Sequence, residues 1–347
     1  MPTISSNDKV LVTGANGYIG LWVVRYLLEH GYSVRAAVRS DDKGKALHHI
    51  FQQKLPAKVG NLEYVLVKDI AAEHAFDDAV KGVAAIVHIA SPLTIEIEDP
   101  QEVIGPAVGG TLSLLNSALA YSTDLKRIVI TSSVKAVLGP EARTYTEDDW
   151  SEFAVKEVEE KGKAADKMSM YCASKFLAER AAWKFVEEHK PSWDLTVLNV
   201  AWVYGPTVND PVSPAAIPST AGLFFQQFFT VRDAAYSYPP AQNYIDVRDV
   251  AGAFIKGLEV EAAGGERIIV TSEWSTWQHW LNAAADMNLL PKLDKWDPKR
   301  VEGLSPRIAS NEKAKRILGL TFRTIPETLT DILEDFRPRG WLKEWEA

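Results

Sequence analysis

Short apolar runs rich in β-branched residues alternate along the first half of the chain with longer stretches whose apolar positions recur every three or four residues. Val10-Leu11-Val12 reads as a strand, and Tyr18–His30 as the amphipathic helix that follows it and stops at Gly31. Val34–Val38 is the next strand and Lys43–Gln53 the next helix. Further strands are predicted at Glu63–Val67, Ala85–Ile89 and Lys126–Thr131, with a helix at Gln101–Ala120 before the last of them. Parallel strands need long crossover connections, and right-handed crossovers place helices on both faces. The pattern therefore predicts an α/β fold with a doubly wound parallel sheet, of the Rossmann type.

From Pro140 to Lys167 the pattern lapses into a charged excursion, read as a loop with a short helix. A long helix at Met168–His189 and a strand at Leu195–Val200 follow. Beyond Gly205, the prolines Pro206, Pro211, Pro214 and Pro218 mark a loop. The remainder carries most of the aromatic load: Phe224, Phe225, Phe228, Phe229, Trp274, Trp277 and Trp280. This organisation predicts a cofactor-binding domain over residues 1–200, with segments near 240–258 returning to it. Residues 201–347 mainly form a smaller, mixed substrate-binding or lid domain.

Composition narrows the function classes. The 347 residues are 46% hydrophobic and 24% charged, which suits a globular chain able to bury a sizeable core. A net charge of −8 disfavours nucleic acid and anionic membranes, both of which reward a basic face. The single cysteine, Cys172, excludes an intramolecular disulfide framework and any multi-cysteine metal site, and no metal is expected. No signal peptide and no uninterrupted apolar span of membrane length is read in the chain, so a soluble cytoplasmic monomer or homodimer is the expectation.

Thr13-Gly14-Ala15-Asn16-Gly17-Tyr18-Ile19-Gly20 follows the first strand directly and opens the first helix. Glycines there permit a sharp turn, close approach of backbone N–H groups to a pyrophosphate and tight packing of helix on sheet. The helix N-terminus adds about half a positive charge. A glycine-rich turn without a ligand is the plain alternative, and the strand–turn–helix context argues against it. Arg39 follows the second strand, with Lys43 four residues further on. A guanidinium there pairs with a ribose 2′-phosphate, where NAD enzymes place an acid for the 2′-hydroxyl. NADP(H) is therefore the predicted cofactor.

Tyr171-Cys172-Ala173-Ser174-Lys175 sets a phenol and an ammonium four residues apart on one face of a predicted helix. Tyr64 and Lys68 repeat the spacing within a strand, where residues four apart lie roughly 13 Å from each other, so that pair cannot act as a unit. On the helix, Lys175 favours the phenolate of Tyr171 and makes the phenol a usable proton donor. A third group comes from the strand that ends Thr131-Ser132-Ser133, whose hydroxyls reach the carboxyl edge of the sheet. Hydroxyls at strand ends are ordinary turn formers, and only the combination with the helical pair and the phosphate loop makes them candidates for catalysis.

Together these residues resemble the extended short-chain dehydrogenase/reductase family over nearly the whole chain. The TGxxGxxG pattern stands at Thr13–Gly20, Tyr-x-x-x-Lys at Tyr171–Lys175 and the serine strand at Thr131-Ser132-Ser133. Later family segments match Asn199-Val200-Ala201-Trp202-Val203-Tyr204-Gly205-Pro206 and Tyr244-Ile245-Asp246-Val247-Arg248-Asp249-Val250-Ala251. Val38-Arg39-Ser40, His88-Ile89-Ala90-Ser91-Pro92 and the stretch from Glu102 to Thr111 resemble the dihydroflavonol reductase-like group, which includes fungal and yeast aldehyde and ketone reductases. The resemblance implies catalysis by Ser133, Tyr171 and Lys175. It implies cofactor contacts from the glycine loop, Arg39, Lys43, Asp69, Ile70, Ala90, Ser91 and Val203. Two departures stand out: Val200 where many relatives carry proline, and Ala107 where shorter relatives carry the asparagine of a proton relay.

The reaction implied is hydride transfer from NADPH to the carbonyl of a small, uncharged or weakly polar molecule, with Ser133 and Tyr171 on the carbonyl oxygen. Trp202, Tyr204 and Phe224 are candidates to line the substrate pocket, although core packing is expected for most of the later aromatic residues. A sugar-nucleotide epimerase or dehydratase is the nearest rival on the same fold. Dehydratases need an acid beside the serine, where this chain has Val134-Lys135, and Arg39 argues against NAD. A non-catalytic NADP-binding sensor would have no use for the paired phenol and ammonium.

Overall fold

The computed structural model of the chain describes residues 4–6, 8–91, 97–230, 241–293 and 304–346. Its strands are β1 (Lys9–Thr13), β2 (Ser33–Val38), β3 (Leu62–Leu66), β4 (Ala85–His88), β5 (Arg127–Ser133), β6 (Thr144–Tyr145), β7 (Asp194–Val200), β8 (Trp202–Tyr204), β9 (Ala241–Asp246), β10 (Arg267–Val270), β11 (Glu273–Thr276) and β12 (Ile308–Ala309). The helices are α1 (Tyr18–Glu29), α2 (Asp41–Lys54), α3 (Gln101–Tyr121), α4 (Glu152–Lys161), α5 (Lys167–His189), α6 (Ser219–Phe225), α7 (Val247–Glu259), α8 (Trp277–Asp286), α9 (Glu312–Leu318) and α10 (Ile325–Phe336).

Seven strands form one parallel sheet in the order β10-β7-β5-β4-β1-β2-β3. Because strand side chains alternate between faces, neighbours in β1 enter different cores. Val10 and Val12 pack with α1 and α7 residues such as Leu27 and Phe254, whereas Leu11 joins Leu114 of α3 and Phe185 of α5. Each such fully buried aliphatic contributes about 1.5–3 kcal/mol. The doubly wound sheet is thus as the hydrophobic pattern predicts. The order reverses between β1 and β4, so the carboxyl ends of these two strands border the crevice where such sheets take ligands.

The second half adds a three-stranded mixed sheet, β11-β9-β8, and a two-stranded ribbon, β12-β6. The strand returning to the large sheet is β10 at Arg267–Val270, beyond the segment near 240–258 where the return was expected. That segment supplies β9 to the small sheet, and only its helix α7 packs back on the large one. The charged excursion holds β6 and α4. Asp246, inside a predicted signature, caps α7 by accepting from the Arg248 backbone N–H at 2.8 Å. Arg248 in turn bonds Asp246 and Asp331, tying α7 to α10.

One expectation changes. Among the described residues, α3 is long and apolar enough to cross a membrane, although no such span was read from the sequence. Its Leu114, Leu115 and Ala118 are buried under the sheet. Ser113 and Ser117 hydrogen-bond Ala72 O and the Asp77 carboxylate at 2.7 and 2.6 Å. It is a core helix with hydroxyls matched to protein partners.

Candidate active site

Thr13, Val38, His88 and Ser133 are the last residues of their strands, so all four stand at the carboxyl edge of the sheet. Gly14 has φ +67°, a left-handed conformation, and a Cβ there would lie 2.9 Å from Ala90 N. At Gly20 a Cβ would meet Gly14 O at 2.1 Å, so only hydrogen lets α1 approach the loop. Gly17 caps α1 with no side-chain bond to the helix amides, and no acid occupies the first turn. Asn16 is exposed and Ile19 half-buried beside it. Such a cradle fits a diphosphate: it is lined by backbone, free of negative side chains and aligned with a helix N-terminus. The Tyr18 side chain turns away from the loop, so any cofactor contact from this residue falls to its backbone N–H. Its buried phenol donates to Gly205 O at 2.7 Å, so its side chain belongs to the core that holds the Gly205–Pro206 turn.

Thr13 fastens the switch point. Its Oγ1 accepts from the N–H groups of Ile89 and Ala90 at 3.1 and 3.0 Å and lies 2.8 Å from His88 Nδ1. With both lone pairs engaged, the hydroxyl donates to Nδ1 and leaves the ring proton on Nε2. Burial, helped by the charge of Lys175, holds the imidazole down to about 3 from 6.5, so His88 is neutral. Sequence reasoning named the motif around His88 without this role. Pro92, the last residue of that motif, lies outside the described residues.

Arg39 and Lys43 are both exposed, one just after β2 and the other in the first turn of α2. The nearby carboxylate of Asp41 is engaged by Lys45 at 2.5 Å and by the Tyr64 hydroxyl at 2.7 Å. Asp69 accepts from Ala71 N at 2.9 Å in the loop after β3, and Ile70 packs against Gly110 of α3.

Tyr171 and Lys175 share one face of α5, with the ammonium 5.7 Å from the centroid of the phenol ring. Lys175 is buried and donates to Ser91 Oγ at 2.9 Å. Ser133 is the last residue of β5, and its Oγ accepts from Lys135 N at 3.1 Å, which orients the hydroxyl at the mouth of the sheet. α5 packs against the turn that follows it. The structure therefore gathers Ser133, Tyr171, Lys175, Ser91 and Ala90 around the ends of β4 and β5.

Val203 and Trp202 stand on β8, Val203 buried and Trp202 half-buried. Tyr204 and Phe224, expected to line the substrate, are packed differently. Their rings lie 5.2 Å apart and within 5.8 Å of Trp277 and Trp280, and each side chain is 1% exposed. Mutual aromatic packing withdraws them into the core.

Burial holds the Lys175 ammonium down to about 8, below its ordinary 10.5. A group whose folded value is depressed releases its proton earlier in the folded state. Its contribution to stability therefore rises with pH between about 8 and 10.5 and is most unfavourable below that window. Lys175→Met is expected to be more stable than wild type at neutral pH and to flatten this rise. Thermal unfolding of the cofactor-free protein across the window checks it, and a less stable variant at pH 7 contradicts it.

The family profile described as "NAD dependent epimerase/dehydratase family" matches residues 10–270. The chain belongs to that family. Within this extended short-chain dehydrogenase/reductase family it is similar to dihydroflavonol 4-reductase of Arabidopsis thaliana, 32% identical over 351 residues that cover 98% of this chain and 85% of the relative. It is similar also to aldehyde reductase 2 of Sporidiobolus salmonicolor, 33% identical over 282 residues that cover 79% and 80%. The fold is similar to the crystal structure of a yeast methylglyoxal/isovaleraldehyde reductase complexed with NADPH. The TM-score is 0.85 at 28% identity, over 96% of this chain and 99% of the other.

A buried network that the sequence reading missed underlies the family site. Glu179 accepts from Ser132 Oγ, Asn199 Nδ2 and Arg267 Nε at 2.5, 2.7 and 2.5 Å. The only signal in the sequence was spacing, since Glu179 lies one further helical step along the stripe of Tyr171 and Lys175.

Proposed function

We propose that this NADPH-dependent oxidoreductase reduces the carbonyl of a small aldehyde or ketone, with Tyr171 as proton donor and Ser133 as the second donor to the carbonyl oxygen. The observation that carries the reading is the placement of a buried lysine on the helical face of a half-buried tyrosine, beside the end of the serine strand. NADPH, when bound, supplies the hydride. Residues 1–200 hold most of its site: the glycine loop takes the diphosphate, Arg39 and Lys43 the 2′-phosphate, and Asp69 and Ile70 flank the adenine. Ala90, Ser91 and Val203 flank the nicotinamide half, and Lys175 holds its ribose. Residues 201–347 mainly shape the substrate side, with Trp202 of β8, half-buried, as the aromatic candidate for its lining.

Two hydroxyl donors on one oxygen stabilise the negative charge that develops there as the carbon is reduced. Tyr171 then passes its proton to that oxygen. The Lys175 ammonium stabilises the charge left on the phenol. Ser133 suits this role because its Oγ accepts from the Lys135 N–H while its own proton remains to be donated.

The test is NADPH oxidation against a panel of simple aldehydes, bulky ketones, α-keto esters and dihydroflavonols. Saturable turnover with an uncharged carbonyl compound carrying an aromatic or branched alkyl group is expected. Saturable binding of uridine or thymidine diphosphate sugars, with no carbonyl reduced, would replace this reading by an epimerase or dehydratase.

A further inference from the structure

We propose that Glu179 is a positioning residue: its buried carboxylate fixes α5 against β5 so that Tyr171 and Lys175 stand in register with Ser133. The inference rests on the reading of Tyr171 and Ser133 given above.

Tyr171, Lys175 and Glu179 occupy successive i+4 positions of α5 and so form one stripe. The first two end in the reaction site, whereas the third is anchored beneath it. Its side chain is fully buried, and every partner is a donor, as a carboxylate requires. Oε2 accepts from Ser132, the residue before Ser133, at 2.5 Å, and from Asn199 Nδ2 at 2.7 Å. Asn199 Nδ2 also lies 3.3 Å from Ser133 O. Oε1 accepts from Arg267 Nε at 2.5 Å. Arg267 then donates to Ala136 O at 3.2 Å, in the turn that follows Ser133, and to Glu147 O and Asp149 O at 2.7 and 2.6 Å. Its guanidinium also lies over the Trp150 ring, 3.7 Å from the centroid.

One carboxylate thus touches the strand just before Ser133, the asparagine under Ser133 and, through a single arginine, the turn just after it. These bonds fix both the slide of α5 along β5 and its rotation about its own axis. Lys175 is one helical turn away and Tyr171 two, so either error passes directly to the phenol and ammonium. Stability alone is a weak reason for the arrangement. Burying an ion pair carries a desolvation cost, and well-packed apolar replacements are frequently as stable.

Glu179→Gln, Ser132→Ala and the double variant separate positioning from mere stabilisation. Ser132→Ala removes one bond and unpairs no charge, so it keeps the test open should Glu179→Gln not fold. In the complete enzyme with NADPH and one common aldehyde, folded Glu179→Gln is expected to lose about 10²-fold in kcat with KM and NADPH affinity within about twofold of wild type. Ser132→Ala is expected to lose about tenfold, and the double variant no more than Glu179→Gln, because both act through one contact. The pH profile of kcat should shift in Glu179→Gln, since the ammonium no longer stands where the phenol needs it.

A purely structural role would lower Tm and leave kcat and its pH profile unchanged. Wild-type kcat in folded Glu179→Gln, or in Ser132→Ala where Glu179→Gln does not fold, overturns the proposal. Tyr171→Phe measured alongside separates the two claims. Full activity there overturns the reading of Tyr171 itself, whereas an inactive Tyr171→Phe beside fully active Glu179→Gln overturns only the role of Glu179.

Discussion

Tyr171→Phe is expected to slow carbonyl reduction by about 10²–10⁴-fold while leaving the affinity for NADPH within about twofold of wild type. The substitution removes one hydroxyl and nothing else. The ring that packs beside Lys175 and the helix that carries both groups are unchanged. On the proposed mechanism, what is lost is the donor that meets the carbonyl oxygen as negative charge develops on it. In that mechanism Ser133 remains and still stabilises that charge, but it is not the group that gives up its proton. The loss should therefore fall on kcat and on kcat/KM alike, as for an interaction made only in the transition state. Steady-state kinetics together with cofactor titration check both halves. Unchanged kcat assigns the proton to another group.

The second large effect concerns the cofactor's far end. Arg39→Asp is expected to change the preference between NADPH and NADH by about 10²-fold or more, erasing or inverting it. Arg39 and Lys43 project from the end of β2 and the first turn of α2 on an exposed edge. On the proposed binding mode, two cations there would make charge-assisted bonds to a 2′-phosphate, each worth roughly 1.5–3 kcal/mol before screening. Solvent screening at this edge reduces the sum, and that sets the moderate figure. An aspartate repels the phosphate and accepts hydrogen bonds from ribose hydroxyls instead. The maximal rate with saturating NADH should change little, because Arg39 lies at the end of β2 while the proposed reacting groups gather at the ends of β4 and β5. The measurement is kcat/KM for both cofactors in wild type and variant with one aldehyde. An unchanged ratio makes Arg39 a surface residue.

Legibility in the sequence followed the range of the interaction. The strands and the glycine loop are written locally. Val10, Leu11 and Val12 are apolar on both sides because both faces of β1 are covered, and Gly20 is demanded by a contact with Gly14 six residues before it. The pairing of Tyr171 with Lys175 is likewise local, set by helical periodicity. Other features depend on residues far apart. Arg267 carries no local mark of a partner on α5, and β10 reads as a short apolar run that could have joined either sheet. Tyr204 and Phe224 show a different limit. An aromatic residue announces burial, but composition does not say whether its ring meets a ligand or another ring, and here it meets Trp277 and Trp280. α3 shows the converse: its sequence reads as an ordinary helix, yet by length and composition it could cross a membrane, and it is the sheet and α5 that cover its apolar residues.

The most direct test of the central claim follows the hydride itself. NADPH carrying deuterium at the transferring position of its nicotinamide is mixed with the protein and an accepted aldehyde, and the product is read by mass spectrometry and NMR. A reductase built on Ser133, Tyr171 and Lys175 delivers one deuterium to the carbinol carbon for every NADPH oxidised, and Tyr171→Phe suppresses both together. Product without deuterium, or a substrate transformed with no net oxidation of NADPH, contradicts the assignment.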